Sequence, residues 1–468
     1  MSIKKVKKKS SGLKGEITIP ADKSISHRAV MFLSLAKGVS TIENFSKGAD
    51  CLSTLEVFKS LGVQAEFKNE KTLIINSKNG LIAPKNELYC GNSGTTMRLM
   101  SGILAGQSFN SVLTGDESLS KRPMGRVIKP LKLMGADIQG KQKTENGKRN
   151  TPHSSLLTTH LITAPLKIHG TQLHGIDYVS ELASAQVKSC VLLAGMHSSG
   201  KTSFTEPFQS RNHTELMLEY LGAKIYQEAK SKKQKVKSDE NTFYLLPFAF
   251  CSKTTIEKSQ LQPKTITVAG DISSAAFFIV AALIVPDSEI ILKNVGLNLT
   301  RTGILDVVEK MGGQVEILDK KLVSNEEVGD LKVKYSDLKA CTIEGEIIPR
   351  LIDELPIIAV LATQAQGTTI IKNAEDLRNK ESDRIKAIVT ELKKLGADIE
   401  ETEDGFIIQG KTSLKVGVEV ETYHDHRLAM SLYVAGLICE NSISINGFEW
   451  VNISFPEFEG LMEQLSGI

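Results

Sequence analysis

At 468 residues the chain is longer than one ordinary domain, and two or three are expected. It is 41% hydrophobic and 24% charged, which is the make-up of a globular protein with sizeable cores. Its net charge of +3 is too small to draw nucleic acid, so anionic partners must be met by locally placed Lys and Arg.

The basic start, Met1 to Lys9, runs into Ser and Gly rather than an apolar stretch, so it reads as a solvated tail and not a secretory signal. Asp22-Lys-Ser-Ile-Ser-His-Arg28 follows. It places Lys23 and Ser24 at a helix start with Arg28 one turn on, either a cap with a surface ion pair or a clamp for phosphate and carboxylate. Cys90-Gly-Asn-Ser-Gly-Thr-Thr-Met-Arg98 is a second polar turn before an apolar helix expected from Leu99. Gly91 and Gly94 permit close backbone approach, and Asn92, Ser93 or Thr95 can cap the helix. Helix starts of this kind offer unpaired N–H groups to an anion.

The construction recurs six times, near Asp22, Asn92, Ser180, Asp271, Asp353 and Asp425. Each copy is a polar turn, an apolar helix and a strand rich in Thr, Ser, Val or Ile. The helices are expected from Ser24, Leu99, Ala183, Ser274, Leu355 and Leu428, and are apolar nearly all round, as helices buried inside walls of sheet would be. A second element alternates with the first: five helices end on Gly62, Gly135, Gly222, Gly312 and Gly396, spaced 73, 87, 90 and 84 residues apart, each suited to a left-handed helix stop. Six units of helix, strand, helix and strand fit two domains of three. Two inserts interrupt them: Lys141 to His160, with a hairpin-turn signal at Glu145-Asn-Gly147, and the lysine-rich Glu228 to Ser238, expected as a solvated loop.

Gly195-Met-His-Ser-Ser-Gly-Lys-Thr202 fits the phosphate-loop pattern of nucleotide triphosphatases. That loop needs a strand before it and a helix after it, and here the expected order is reversed. Near the C-terminus, Asn379-Lys-Glu-Ser-Asp-Arg384 and Tyr423-His-Asp-His-Arg427 put Lys380, Arg384 and Arg427 in first helical turns, where acids are usual. Such a conflict marks a site rather than scaffold. His424 and His426 lack a third ligand at convincing spacing, so no metal is expected. Six single cysteines, Cys51, Cys90, Cys190, Cys251, Cys341 and Cys439, argue for a reduced, cytoplasmic setting. The longest apolar run, Ala275 to Val285, is too short to cross a bilayer.

At Lys23-Ser-x-Ser-x-Arg28, Gly91-Asn-x-Gly-Thr-x-x-Arg98, Lys121-Arg-Pro123, Ser184-Ala-Gln186, Lys380-Glu-Ser-Asp-Arg384 and Asp425-His-Arg427, the sequence resembles the 5-enolpyruvylshikimate-3-phosphate synthases, from about Gly15 to the C-terminus. The resemblance implies an α/β (α+β) fold, a two-domain inside-out barrel of six βαβαββ repeats, three per domain, with the active site in the interdomain cleft. It further implies a discontinuous domain of residues 1–22 and 269–468, an inserted domain of residues 23–268, and a hinge near 22–23 and 268–269. The implied reaction joins phosphoenolpyruvate to shikimate 3-phosphate and releases phosphate, with no cofactor and no metal. The implied partners are those two small molecules alone, with no nucleic acid or membrane, and the expected state is a monomer.

Carried over by motif, Lys23, Ser24, Arg28, Ser184, Gln186, Ser210, Arg211, Asp353 and Lys380 would hold shikimate 3-phosphate. Lys23, Gly94, Arg122, Gln186, Arg384 and Arg427 would hold phosphoenolpyruvate. Asp353 is the implied base, with Glu381 and Lys23 as the implied proton handlers. Ala21 stands where Gly is common, Leu99 where Pro is common, and Ala185 for a second Ser. Asn452-Ile-Ser-Phe-Pro456 lacks the Lys that one branch carries, which places the chain nearer the branch with herbicide-tolerant members. The rival within the fold, UDP-N-acetylglucosamine enolpyruvyl transferase, has a reactive Cys near the position of Ser118 to Pro123, and this chain has none there.

Overall fold

The computed structural model describes residues 2–142, 162–232, 249–415 and 417–467. They form two compact units, one of Met1–Ile25, Ser46–Ala49 and Thr267–Ile468, the other of Ser26–Phe45 and Asp50–Ile266.

In the first unit three apolar helices, Ile272–Ile284, Leu355–Thr363 and His426–Gly436, pack on one another. Every residue of Ile272–Ile284 except Ser274 is buried. A helix apolar on all sides needs cover on all sides, and three sheets belong to this unit. One runs Gln314–Val323, Glu326–Lys334, Glu289–Gly296 and Lys14–Thr18, the last pair parallel. Another runs Thr342–Ile343, Gly367–Ile371, Phe406–Gly410 and Asp398–Glu401. In the third, Ile443–Asn446 lies between Ile3–Val6 and Glu419–Glu421. The basic start is therefore strand and not tail from Ile3 onward: Ile3 to Val6 are backbone-paired with Asn446 to Ile443. Phe277, Phe278, Tyr433, Phe455 and Phe458 form a ring cluster with centroids 5.3–5.9 Å apart; it anchors the C-terminal helix Phe458–Leu465.

The second unit repeats the plan. Its sheets include Leu88–Tyr89, Ser111–Thr114, Ile162–His169 and Asp137–Gln142, and, in the same pattern, Asp177–Val179, Thr202–Glu206, Ala249–Ile256 and Ile225–Lys232. Helices Gly94–Ala105 and Ala185–Gly195 pack face to face. The contact is close enough that a Cβ at Gly102 would lie 2.2 Å from the carbonyl oxygen of Cys190. The five repeated stop glycines have φ of +90°, +90°, +88°, +81° and +89°, the left-handed geometry that ends a helix.

Several boundaries differ from the sequence expectation. The second apolar helix begins at Gly94, not Leu99, because the Ser93 side chain accepts from the Thr96 N–H at 3.1 Å and caps it there. The helix expected from Ala183 begins at Ala185. Residues Glu228 to Lys232, expected in a loop, continue a strand paired with Ala249 to Lys253. The turn expected at Glu145-Asn-Gly147 and the rest of the lysine-rich run lie outside the described residues. Among the described residues no helix is long and apolar enough to cross a membrane.

Candidate active site

In the first unit the unusual cations gather on one arginine. Arg384, the first residue of helix Arg384–Lys394, is fully buried. Its Nε donates to Asp425 Oδ2 at 2.7 Å, Nη2 to Glu381 Oε2 at 2.6 Å and to Asp425 Oδ1 at 3.3 Å, and Nη1 to Asp353 Oδ1 at 3.3 Å. Burial alone would loosen its proton, but Asp425, Glu381 and Asp353 outweigh it and hold the guanidinium above its ordinary value. Only a planar fork can meet three carboxylates at once. Lys380 Nζ reaches Asp353 Oδ1 at 3.4 Å, so two cations converge on that oxygen.

Asp353 is not the cap of its helix: the cap position of Leu355–Thr363 is Glu354, whose side chain makes no capping bond. Asp425 does cap, accepting from the Arg427 N–H at 2.9 Å, and so ties the start of helix His426–Gly436 to Arg384. Arg427 Nη1 in turn donates to the Asp353 carbonyl at 3.2 Å. His426 between them is buried, which pushes its imidazole down to about 4 against the pull of Asp425, so it is neutral near neutral pH. Neither it nor His424 belongs to a group able to hold a metal among the described residues.

A second buried cluster adjoins this one. Arg301 Nη2 donates to Asp271 Oδ1 at 3.2 Å and to Ser273 Oγ, and Ser273 Oγ donates to Glu354 Oε1. Asp271 caps helix Ile272–Ile284 through the Ser273 N–H at 2.9 Å and also accepts from the Lys23 N–H at 3.4 Å. Burial first, then Asp22, pushes the Asp271 carboxyl up, with Arg301 and Arg427 opposing. Lys23 opens helix Lys23–Leu35, behind the Asp22 carboxylate that accepts from the Ile25 N–H at 2.8 Å.

In the second unit the turn before helix Gly94–Ala105 is braced by polar side chains. Arg122 Nη2 donates to Asn92 Oδ1 at 2.6 Å, and Asn92 Nδ2 to Asp116 Oδ2 at 2.6 Å. Arg98 Nη1 donates to Gln186 Oε1 at 2.6 Å, and Gln186 Nε2 to Thr95 Oγ1 at 3.0 Å. A Cβ on Gly94 would lie 3.0 Å from Arg98 Nη1 and 3.6 Å from Arg122 Nη1. Ser184 precedes helix Ala185–Gly195 and makes no capping bond. Arg28 is buried; its Nε donates to Thr214 Oγ1 at 2.7 Å and its Nη2 to Ser189 Oγ at 3.0 Å. Ser210 is tied to Glu206, and Arg211 is the next residue.

The first unit thus presents Lys23, Arg384 and Arg427 at helix starts whose backbone N–H groups already favour anions, and the second sets Arg98 and Arg122 beside Gly94 at the start of helix Gly94–Ala105. Over residues 7–462 the sequence matches the profile of EPSP synthase (3-phosphoshikimate 1-carboxyvinyltransferase). The chain belongs to the EPSP synthase family. The 3-phosphoshikimate 1-carboxyvinyltransferase of Thermoanaerobacter sp. (strain X514) is 48% identical over 460 residues, 98% of this chain and 99% of that protein. That of Bacillus subtilis (strain 168) is 48% identical over 456 residues, 97% of each. The EPSP synthase structure from Acinetobacter baumannii superposes with TM-score 0.81 at 39% identity, covering 99% of this chain and 98% of that one. The enolpyruvyl transferase NikO from Streptomyces tendae, at 15% identity and TM-score 0.72, covers 99% of this chain and 97% of its own; it shares the fold.

As a member of the EPSP synthase family the chain keeps its two-domain α/β architecture, and the phosphate-loop lookalike is local coincidence. Helix Ala185–Gly195 precedes that stretch, strand Thr202–Glu206 follows it, and Lys201 pairs at the surface with Glu257 at 2.8 Å. In the first unit the structure brings together Asp353, Lys380, Glu381, Arg384 and Arg427; in the second it joins Arg98 to Gln186 and sets Gly94 beside Arg98 and Arg122. Sequence reasoning missed Asp271, Arg301 and Glu354 as a group, and the buried Lys188 with Glu206 and Glu215. A charge inside an apolar helix, as at Lys188, was the one signal on offer.

Proposed function

We propose that the chain transfers the enolpyruvyl group of phosphoenolpyruvate to the 5-hydroxyl of shikimate 3-phosphate, releasing phosphate, as a monomeric cytoplasmic enzyme of the shikimate pathway to chorismate and the aromatic amino acids. The family match over residues 7–462 carries the reading. Both substrates bear phosphate and carboxylate, so several negative charges must be held together, and the cations at helix starts suit that task. Lys23, Ser24, Arg28, Ser184, Gln186, Ser210, Arg211 and Lys380 bind shikimate 3-phosphate, and Lys23, Gly94, Arg122, Gln186, Arg384 and Arg427 bind phosphoenolpyruvate. Asp353 takes the proton of the 5-hydroxyl as the oxygen attacks C2 of the enol, while C3 is protonated. The resulting tetrahedral intermediate loses phosphate as a C3 proton leaves. Glu381 and Lys23 handle these later transfers.

Purified protein given both substrates is expected to release phosphate, and to release none when UDP-N-acetylglucosamine replaces shikimate 3-phosphate. Release with the sugar nucleotide would overturn the assignment. Gly94 supplies a finer test. The added methyl of Gly94→Ala meets the movable end of Arg98 rather than backbone, so the fold survives while Arg98 is displaced from Gln186. The KM for phosphoenolpyruvate is expected to rise about tenfold with the KM for shikimate 3-phosphate within about twofold; equal rises would make the turn scaffold only.

A further inference from the structure

In the second unit Lys188 lies fully buried within the apolar helix Ala185–Gly195. Its Nζ contacts Glu206 Oε1 and Glu215 Oε1, both at 2.7 Å, and donates to the Ser210 carbonyl at 3.2 Å. The two glutamates are 1% exposed, and among the described residues Glu215 Oε2 has no partner. One ammonium against two carboxylates, all without water, is an expensive arrangement as a source of stability, because desolvation offsets most of the attraction. Burial would strip the lysine of its proton, but Glu215 and Glu206 hold the ammonium above its ordinary value. Such a cluster calls for another reason to be there.

Its connections supply one. Besides Lys188, Glu206 engages a single residue through both oxygens: Oε1 accepts from the Ser210 N–H at 3.0 Å and Oε2 from the Ser210 hydroxyl at 2.6 Å. With its carbonyl on Lys188, Ser210 has every backbone polar group and its hydroxyl proton directed into the cluster. The residues next to Lys188 and Glu215 in sequence, Ser189 and Thr214, bond to each other at 2.6 Å and both accept from Arg28. The cluster therefore locks three segments: the helix that starts beside Ser184 and carries Gln186, the turn of Ser210 and Arg211, and the first turn of helix His213–Tyr220.

We propose that Lys188, Glu206 and Glu215 form a positioning element for shikimate 3-phosphate, with Glu206 fixing the Ser210–Arg211 turn against the helix of Ser184 and Gln186. The proposal rests on the assignment of that turn to shikimate 3-phosphate made above. With its amide and hydroxyl held by Glu206, Ser210 is fixed in the turn that presents Arg211, so the cluster positions both of the residues of that turn assigned above to shikimate 3-phosphate.

The test compares Glu206→Gln with Arg211→Ala by calorimetric titration of shikimate 3-phosphate and by steady-state kinetics in both substrates. The amide keeps the size of the side chain and one acceptor oxygen but cannot accept from both Ser210 donors and Lys188 together. Glu206→Gln is expected to weaken shikimate 3-phosphate binding about tenfold, leave the KM for phosphoenolpyruvate within about twofold, and quicken hydrogen exchange at the Ser210 amide. If Arg211→Ala weakens binding and Glu206→Gln does not, the positioning role is wrong while the assignment of the turn stands. If Arg211→Ala has no effect, the assignment and the positioning role fall together. Equal losses for both substrates in Glu206→Gln also overturn it, since they mark a role in the fold alone. Should Glu206→Gln fail to fold, Glu206→Asp, which withdraws the carboxylate by one methylene, is read against the same outcomes.

Discussion

Replacing Arg384 by methionine is expected to destabilise the protein by about 3–5 kcal/mol and to bring turnover below detection. The guanidinium is fully buried and donates to Asp353, Glu381 and Asp425 at 2.6–3.3 Å. Methionine fills much of the volume but leaves three carboxylates facing one another without their common counter-charge, and breaking a buried ion pair from one side costs far more than the pair itself contributes. Denaturant unfolding measures the first effect and phosphate release the second. Arg384→Lys separates charge from shape: a point charge cannot span Asp425, Glu381 and Asp353 as a fork does, so stability should recover in part and activity should stay low. Full activity in the lysine variant, or a stability loss under about 1 kcal/mol in the methionine variant, would show that the guanidinium is dispensable to the arrangement.

How much of this was legible beforehand varied with the range of the signal. The six repeats could be read because each is written locally: a helix apolar all round must be covered, and a glycine at φ near +90° must stop its helix. Arg384 and Arg427 could be read because cations in first helical turns contradict the dipole and therefore stand out; Lys380, expected in such a turn, instead follows the short helix Glu375–Asn379 and precedes helix Arg384–Lys394. The strand at Ile3–Val6 could not, since its pairing with Ile443–Asn446 joins the two ends of the chain. Nor could the start of the helix at Gly94, where three neighbouring residues offered caps and only Ser93 took the role, Asn92 being claimed by Arg122 and Asp116. The cluster of Lys188, Glu206 and Glu215, and that of Asp271, Arg301 and Glu354, draw partners from separate elements with no shared motif. Folding alone brings them together, and a single sequence records nothing of the pairing beyond charges in apolar company.

Asp353→Asn is the counterpart of the Arg384 variant, because it should remove chemistry and spare the fold. The asparagine oxygen can still accept from Lys380 or Arg384, and Arg384 keeps Asp425 and Glu381, so stability is expected to change by about 1 kcal/mol or less. An amide cannot take up the proton of the 5-hydroxyl, so kcat should fall by about 10²–10⁴, the usual contribution of a general base. Binding of shikimate 3-phosphate, followed by calorimetry, should stay within a few-fold. The pairing of outcomes decides between roles: if Asp353 served only to seat Lys380 and Arg384, binding and stability would fall along with kcat. Were it the base, kcat would fall alone, and Asp353→Glu would restore little, since one extra methylene moves the carboxylate off the oxygen that two cations fix at 3.3 and 3.4 Å. A fall in kcat of less than about tenfold in the asparagine variant would assign proton removal to another group.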